Sequence, residues 1–221
     1  TNGLYLKTMS SKIEEIFDIP LIPRIIRIPT KEVFIGDIAL GGKNPIRIQS
    51  MTNTYLADVK STVKQVIALS QAGSEFVRLA VPSLKDVAYL TEVRDILRKE
   101  GCIVPLIADV HFSPSIAGAV APFVEKVRIN PGNFIDKKTT GRREYSDAEY
   151  DQELEKTGEK LKQLLDICKT YGTALRIGTN HGSLSDRILQ RYGNTAKGIV
   201  SSAMEFILLC ENIGFRNIVL S

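Results

Sequence analysis

The sequence predicts an α/β chain built on an incomplete (β/α)8 barrel, with a short β-hairpin ahead of it. Three observations carry this. Short β-rich runs alternate with amphipathic helical stretches along most of the chain, which is the pattern of a parallel sheet covered by helices. Within each run the aliphatic residues keep one parity and the polar residues the other. Three of the runs also end in an arginine followed by a turn: FVRLAVP with Arg78, KVRINPGN with Arg128 and ALRIGTNHGSL with Arg176.

Length and composition permit this reading. The chain has 221 residues, 43% of them hydrophobic, enough for one sizeable core. Its 29 basic and 25 acidic residues leave a net charge of only +4. That balance argues against nucleic acid or an anionic membrane surface as a partner. No apolar run approaches the roughly 20 residues of a membrane-spanning helix. The N-terminus has no signal-peptide hydrophobic region, and the first residue is Thr1, not Met, as in a trimmed sequence. Cys102, Cys168 and Cys210 stand far apart, with no C-x-x-C spacing. They read as reduced, buried thiols in a cytoplasmic compartment, and not as disulfides or metal ligands.

Residues 1–32 form an N-terminal extension with three prolines and no clear periodicity. Val33–Ile35 and Ile38–Leu40 flank Gly36-Asp37, a two-residue hairpin signal. Strands then read at 46–51, 75–81, 104–111, 126–130, 174–178 and 216–221. The helices between them show clear apolar faces: Val59, Val63, Val66 and Ile67, then Val87, Leu90, Val93 and Leu97. Ser83-Leu-Lys-Asp86 opens the second of these as a near capping box. A third face carries Leu154, Leu161, Leu164, Leu165 and Cys168, and a fourth Ile199, Ala203, Phe206, Ile207 and Cys210. Gly73, Gly101, Gly172 and Gly214 stand where helix stops are expected.

Parity decides between a doubly wound sheet and a closed barrel. Val77, Leu79 and Val81 oppose Phe76, Arg78 and Ala80. Leu106, Ala108 and Val110 oppose Ile107, Asp109 and His111, and Val127 and Ile129 oppose Arg128 and Asn130. Leu175 and Ile177 oppose Arg176, Gly178 and Asn180, and Ile46 and Ile48 oppose Arg47 and Gln49. One face is aliphatic, as helix packing demands. The other turns polar toward the C-terminal strand ends. A doubly wound sheet needs aliphatic residues on both faces, so a barrel with a polar upper lumen fits better, its site at the C-terminal mouth and the hairpin capping the bottom. Six strands are visible, where such a barrel has eight in about 250 residues. The expectation is therefore a fragment, with residues 33–221 a partial barrel domain. The charged segment 133–150, with Lys137-Lys138 and Arg142-Arg143, reads as a solvated connection, with a lid over the mouth as the alternative.

Three guanidinium groups in one lumen repel one another unless carboxylates or an anionic ligand lie beside them. Pairing with Asp109 and Glu75 is the structural possibility. Visible inward acids are few, so a ligand with two phosphates is the functional one, held by paired charge-assisted hydrogen bonds. Asp109 and His111 share a face two residues apart. They read as an acid–imidazole pair able to orient a hydroxyl or move a proton, or as two ligands of a metal with no third in view. Ser183 with Asp186 reads as a helix N-cap whose amides could meet a phosphate, and His181 as a loop residue. Gln49, Ser50, Thr52 and Asn53 are neutral hydrogen-bonders, equally fit for turns or ligand contacts.

IQSMTNT (48–54), VRLAVPS (77–83), IADVHF (107–112), VRINPGN (127–133) and LRIGTNHGSLSDRI (175–188) occur in order, each at a strand end. Together they resemble the 4-hydroxy-3-methylbut-2-enyl diphosphate synthase family of non-mevalonate isoprenoid biosynthesis, from about residue 20 to residue 221. The resemblance implies a TIM barrel that binds 2-C-methyl-D-erythritol 2,4-cyclodiphosphate. It implies a separate C-terminal domain, of the same or a partner chain, whose 4Fe-4S cluster supplies two electrons for reductive ring opening and loss of water. Ferredoxin or flavodoxin is the implied donor. By the same resemblance Arg78, Arg128 and Arg176 clamp the diphosphate, and Asn130, Asn180, Asp109 and His111 lie in the pocket.

The cluster motif is absent from this chain, and its three cysteines match none of the ligands. The family's next barrel motif, a lysine, would follow Ser221. The expectation is an N-terminal piece that does not turn over alone. Its NHGSLSDRI stretch resembles the long, three-domain form of plastids and some bacteria, so a plastid stroma is the expected compartment if the source is a plant or alga. A pterin-binding barrel of the dihydropteroate synthase type, and a non-catalytic anion-binding fragment, are the competing readings.

Overall fold

A computed structural model describes residues 29–111, 113–135 and 145–221. The proposed extension, apart from residues 29–32, and the central part of the proposed lid segment, 136–144, lie outside these residues. The hairpin forms as expected. Strands β1 (Val33–Ile35) and β2 (Ile38–Leu40) pair antiparallel, Val33 opposite Leu40, around Gly36-Asp37. Gly36 takes a φ of +57° at the turn, a conformation that a side chain would disfavour.

The main sheet has six parallel strands: β3 (Gln49–Met51), β4 (Phe76–Ala80), β5 (Leu106–Val110), β6 (Lys126–Ile129), β7 (Ala174–Ile177) and β8 (Ile218–Leu220). They follow one another in chain order with no reversal. A doubly wound sheet reverses its strand order at a switch point; this one curls as part of a (β/α)8 barrel. The strands are shorter at their ends than the sequence runs suggest. The largest difference at any one end is at the start of β3, expected from Ile46. Pro45 cannot donate a backbone hydrogen bond, and Arg47 turns away to donate to Ala39 O at 2.9 Å and to Glu75 Oε1 at 2.7 Å. Arg47 thereby ties the hairpin to the sheet.

The helices are α1 (Val59–Gln71), α2 (Leu84–Lys99), α3 (Pro114–Val120), α4 (Pro131–Phe134), α5 (Asp147–Tyr171), α6 (Asp186–Tyr192) and α7 (Ala196–Asn212). The expected capping box of α2 is present, with Ser83 N–H donating to Asp86 Oδ2 at 3.0 Å. A second capping box, Ser146 with Glu149, opens α5. The cap expected at Ser183 lies instead at Ser185. The reason is local: Asn180 Oδ1 accepts from Gly182 N–H and rolls His181–Ser183 into a separate 3-10 turn, after which Leu184 is extended.

The parity reading holds on both faces. The outward set, including Val77, Leu79, Leu106, Val127, Ile129 and Leu175, joins the core formed with the helices. On α5 that core takes Leu154, Leu161, Leu164, Leu165 and Cys168, all buried. Each buried leucine stabilises by about 1.5–3 kcal/mol. The inward set forms a second, small core at the base of the lumen: Ile35 from the hairpin with Phe76, Ile107 and Ala174. The hairpin therefore plugs the bottom, as expected. On α7 the buried stripe is offset from the predicted face. Ser201, Ser202, Glu205, Phe206, Leu209 and Cys210 are buried, while Ile199, Ala203 and Ile207 are half-buried. A buried ion pair accounts for the glutamate. Arg187 Nη1 on α6 lies 2.6 Å from Glu205 Oε2, Tyr150 on α5 donates its hydroxyl to Glu205 Oε1, and both charged residues are 3% exposed or less.

Candidate functional site

The parallel register carries the arginines into one lumen. Arg128 and Arg176 are Cα partners across β6 and β7, and Asp109 and Arg128 across β5 and β6. Asp109, 2% exposed, is the hub. Its Oδ2 accepts from Arg78 Nη2 and its Oδ1 from Arg128 Nη1 at 3.1 Å. Burial pushes this carboxyl up. The Arg78 hydrogen bond and charge, with His111 and Arg128 behind them, outweigh burial and hold it below the usual value of 3.8. Glu75 takes no part, because Arg47 and the Ile48 N–H occupy it.

Among the described residues one carboxylate thus pairs with two of the three guanidinium groups. Arg176, half-buried, has a neutral partner, Ser221 Oγ, which accepts from its Nε at 2.9 Å. Burial, then the charges of Arg78 and Arg128, lower its proton affinity, and Asp109 only partly offsets them. Arg128 lies flat across Gly178. Its Nη2 donates to Gly178 O at 3.0 Å, and a Cβ at position 178 would stand 2.3 Å from Arg128 Nε. Glycine is required there so that the guanidinium can pass. His111 Nε2 is 3.2 Å from Asp109 Oδ2 and 2.8 Å from Arg128 Nη1. It donates to the carboxylate in one tautomer and accepts from the guanidinium in the other, so this ring is the adjustable member of the set.

The remaining predicted residues sit around this centre in different ways. Gln49, on the outer strand β3, accepts from Lys126 Nζ at 3.3 Å. Asn130 is 2% exposed, and its amide is spent inside the chain: Nδ2 donates to Ser183 Oγ at 2.7 Å, and Oδ1 accepts from Gly132 N–H at 3.3 Å. It clamps the 180s turn onto α4. The fit is tight, since a Cβ at Gly132 would stand 1.6 Å from Ser183 O. Asn180 and His181 are exposed at the mouth, where the Asn180 side chain shapes the turn. Asn53 exchanges hydrogen bonds with Gln65 and acts as a turn former. Lys126, a buried lumen residue, went unnoticed in the sequence, although its parity with Arg128 is the available signal.

Cys168 and Cys210 do not fit an iron–sulfur cluster. Both are buried among apolar side chains, and burial pushes both thiols up to about 12, so they stay protonated. Cluster ligation needs thiolates. Among the described residues no group of three or more His, Cys, Asp or Glu is placed to hold a metal ion, and no described helix is long and apolar enough to cross a membrane.

Comparison with known proteins fits this geometry. Residues 30–221 match the family model described as the GcpE TIM-barrel domain. The chain is 52% identical over 192 residues to the 4-hydroxy-3-methylbut-2-en-1-yl diphosphate synthase (flavodoxin) of Leptospira interrogans, covering 87% of this chain and 29% of that protein. To the proteins of that name from Parabacteroides distasonis and Akkermansia muciniphila it is 50% and 47% identical, covering 85% and 90% of this chain. It spans between 29% and 34% of the length of these relatives. The chain belongs to the GcpE TIM-barrel family.

Proposed function

We propose that this GcpE-family barrel binds 2-C-methyl-D-erythritol 2,4-cyclodiphosphate, as the substrate-binding part of a 4-hydroxy-3-methylbut-2-enyl diphosphate synthase. Residues 33–221 form the binding unit, and residues 1–32 an extension ahead of it. The observation that carries this is the charge balance of the lumen, three guanidinium groups to one carboxylate. A diphosphate supplies the missing negative charge with the geometry that guanidinium forks accept. Arg176, whose hydrogen-bond partner among the described residues is a hydroxyl, is the group most open to a phosphate. Arg78 and Arg128 are preoriented by Asp109. His111, beside Asp109, is placed to exchange a proton with a substrate oxygen. Asn130 and Asn180 shape the turn that borders the site, and Gln49 supports it from the side.

The ring opening needs two electrons, and among the described residues no group of three or more metal-ligating side chains is placed to hold a redox metal centre. The family resemblance assigns the electrons to a 4Fe-4S cluster in a separate C-terminal domain, and no step through it is derived from this site. The names of the relatives favour flavodoxin over ferredoxin as donor. Protonated, buried thiols suit a cytoplasmic setting.

Calorimetric titration of the full-length protein with the cyclic diphosphate tests the reading. Saturable binding is expected, and Arg176→Ala should weaken it by about 2 kcal/mol, the loss of a charge-assisted hydrogen-bond pair. An unchanged dissociation constant, or a preference for a pterin, would sink it.

A further inference from the structure

Lys126 lies two residues before Arg128 on β6, so it faces the same lumen one layer lower, against the floor. It is 2% exposed. Its Nζ stands 5.1 Å from the centroid of the Phe76 ring and donates to the neutral Gln49 Oε1 at 3.3 Å. Its register neighbours, Ile107 and Ala174, are apolar. The acids that could have served it are taken. Glu75 is held by Arg47 and Ile48 N–H, Glu125 by Arg98 and Leu106 N–H, and Asp109 by Arg78 and Arg128. Among the described residues Lys126 makes no ion pair. A buried ammonium in that position is costly, and a single cation–π contact offsets little of the cost.

We propose that Lys126 is a fourth cationic group of the anion site, reaching it from the floor of the lumen, and that in mildly alkaline solution it gains its proton when an anion binds. The inference rests on the anion-binding reading above. The charged groups that face Lys126 are Arg78 from β4 and Arg176 from β7. β3 offers the neutral Gln49, β5 the apolar Ile107, and the hairpin the apolar Ile35. Burial first, then the charges of Arg176 and Arg78, push the ammonium down to about 7. In the empty lumen above that pH the amine is mostly neutral. A diphosphate on Arg78 and Arg176 reverses the sign of the field at Nζ and draws a proton onto it. Binding there therefore consumes a proton, and the lysine becomes mostly cationic when there is an anion to meet.

Calorimetry with inorganic pyrophosphate on the full-length protein tests this at about pH 8, above that midpoint, in two buffers of different ionisation enthalpy. Wild type should take up close to one proton more per pyrophosphate than Lys126→Met. Taking that difference removes the protonation of the probe itself. Lys126→Met should also bind about tenfold more weakly, the loss of one charge-assisted contact. Lys126→Gln should behave like Lys126→Met, and it serves should the methionine variant fail to fold. Equal proton uptake and equal affinity in wild type and variant would overturn the inference and leave the anion reading standing. No binding of pyrophosphate to wild type would overturn both.

Discussion

The arginines on the flank and in the lumen of this chain are treated differently. On the flank, Arg187 is matched one to one. Glu205 Oε2 lies 2.6 Å from its Nη1, Tyr150 completes the carboxylate, and the Tyr150 ring lies 4.9 Å from the guanidinium carbon. In the lumen, Arg78 and Arg128 share Asp109, and Arg176 rests on a serine. Arg187 and Arg128 are removed from water and Arg78 and Arg176 partly so, and both sets incur a cost of desolvation. The flank meets that cost with its own carboxylate, and the pair joins α5, α6 and α7. The lumen meets it only in part. That shortfall, more than the presence of arginine, separates a structural cluster from one that awaits a ligand.

The sharpest way to break the comparison is to remove the flank's balance. Glu205→Gln keeps the shape and deletes the charge, leaving Arg187 buried against neutral partners. The expected loss is about 3–5 kcal/mol of stability, the usual result of breaking a buried pair from one side. Urea unfolding measures it. Pyrophosphate should stabilise this variant no more than it stabilises wild type. A loss below about 1 kcal/mol would mean that the flank pair is not balanced by charge as described.

Asp109→Asn puts the same question to the lumen and should cost less, about 2 kcal/mol, because an asparagine still accepts hydrogen bonds and Arg78 is partly open to solvent. Here pyrophosphate should restore more stability than it adds to wild type. The acid limb gives a second readout. The folded Asp109 carboxyl titrates below its ordinary value of 3.8. Its contribution is therefore present above pH 3.8 and is lost as pH falls through the lower, folded value. Wild type should lose stability there, and Asp109→Asn should lose less. Parallel acid limbs would contradict the pairing.

Much of this contrast was legible in the sequence, and its limits are instructive. Period-two alternation placed Arg78, Arg128 and Arg176 in the lumen and the aliphatic residues against the helices, because a strand has only two faces. The same rule applied to Lys126, but a lysine at the start of a strand reads as a solvent-facing end until its burial is seen. Glu205 was hidden for another reason. Within α7 it interrupts an apolar stripe, and helical periodicity treats a carboxylate as exposed. Only the arrival of Arg187 and Tyr150, from two other helices, makes its burial tolerable. Asn130 shows the same limit. Its partner, Ser183, lies 53 residues on, and no spacing rule connects them.

The smallest effect sharpens the comparison by separating charge from hydrogen bonding within the flank. Tyr150→Phe removes the hydroxyl that donates to Glu205 Oε1 but leaves Arg187 and Glu205 to neutralise each other. Burial first, and then the Glu205 charge, raises the phenol's proton affinity far above its ordinary value, so the hydroxyl is a donor at every working pH. The loss should be about 1 kcal/mol, one hydrogen bond to a charged acceptor that keeps its ionic partner. The phenyl ring should still pack under the Arg191 guanidinium, whose carbon lies 3.8 Å from the Tyr150 ring centroid. The folded phenol keeps its proton while the unfolded one ionises at its ordinary value of 10.0, so the loss should hold steady near neutral pH and shrink as pH rises through that value when followed by urea unfolding. If Tyr150→Phe costs as much as Glu205→Gln, the hydroxyl carries the cluster and charge balance is not what distinguishes the flank from the lumen.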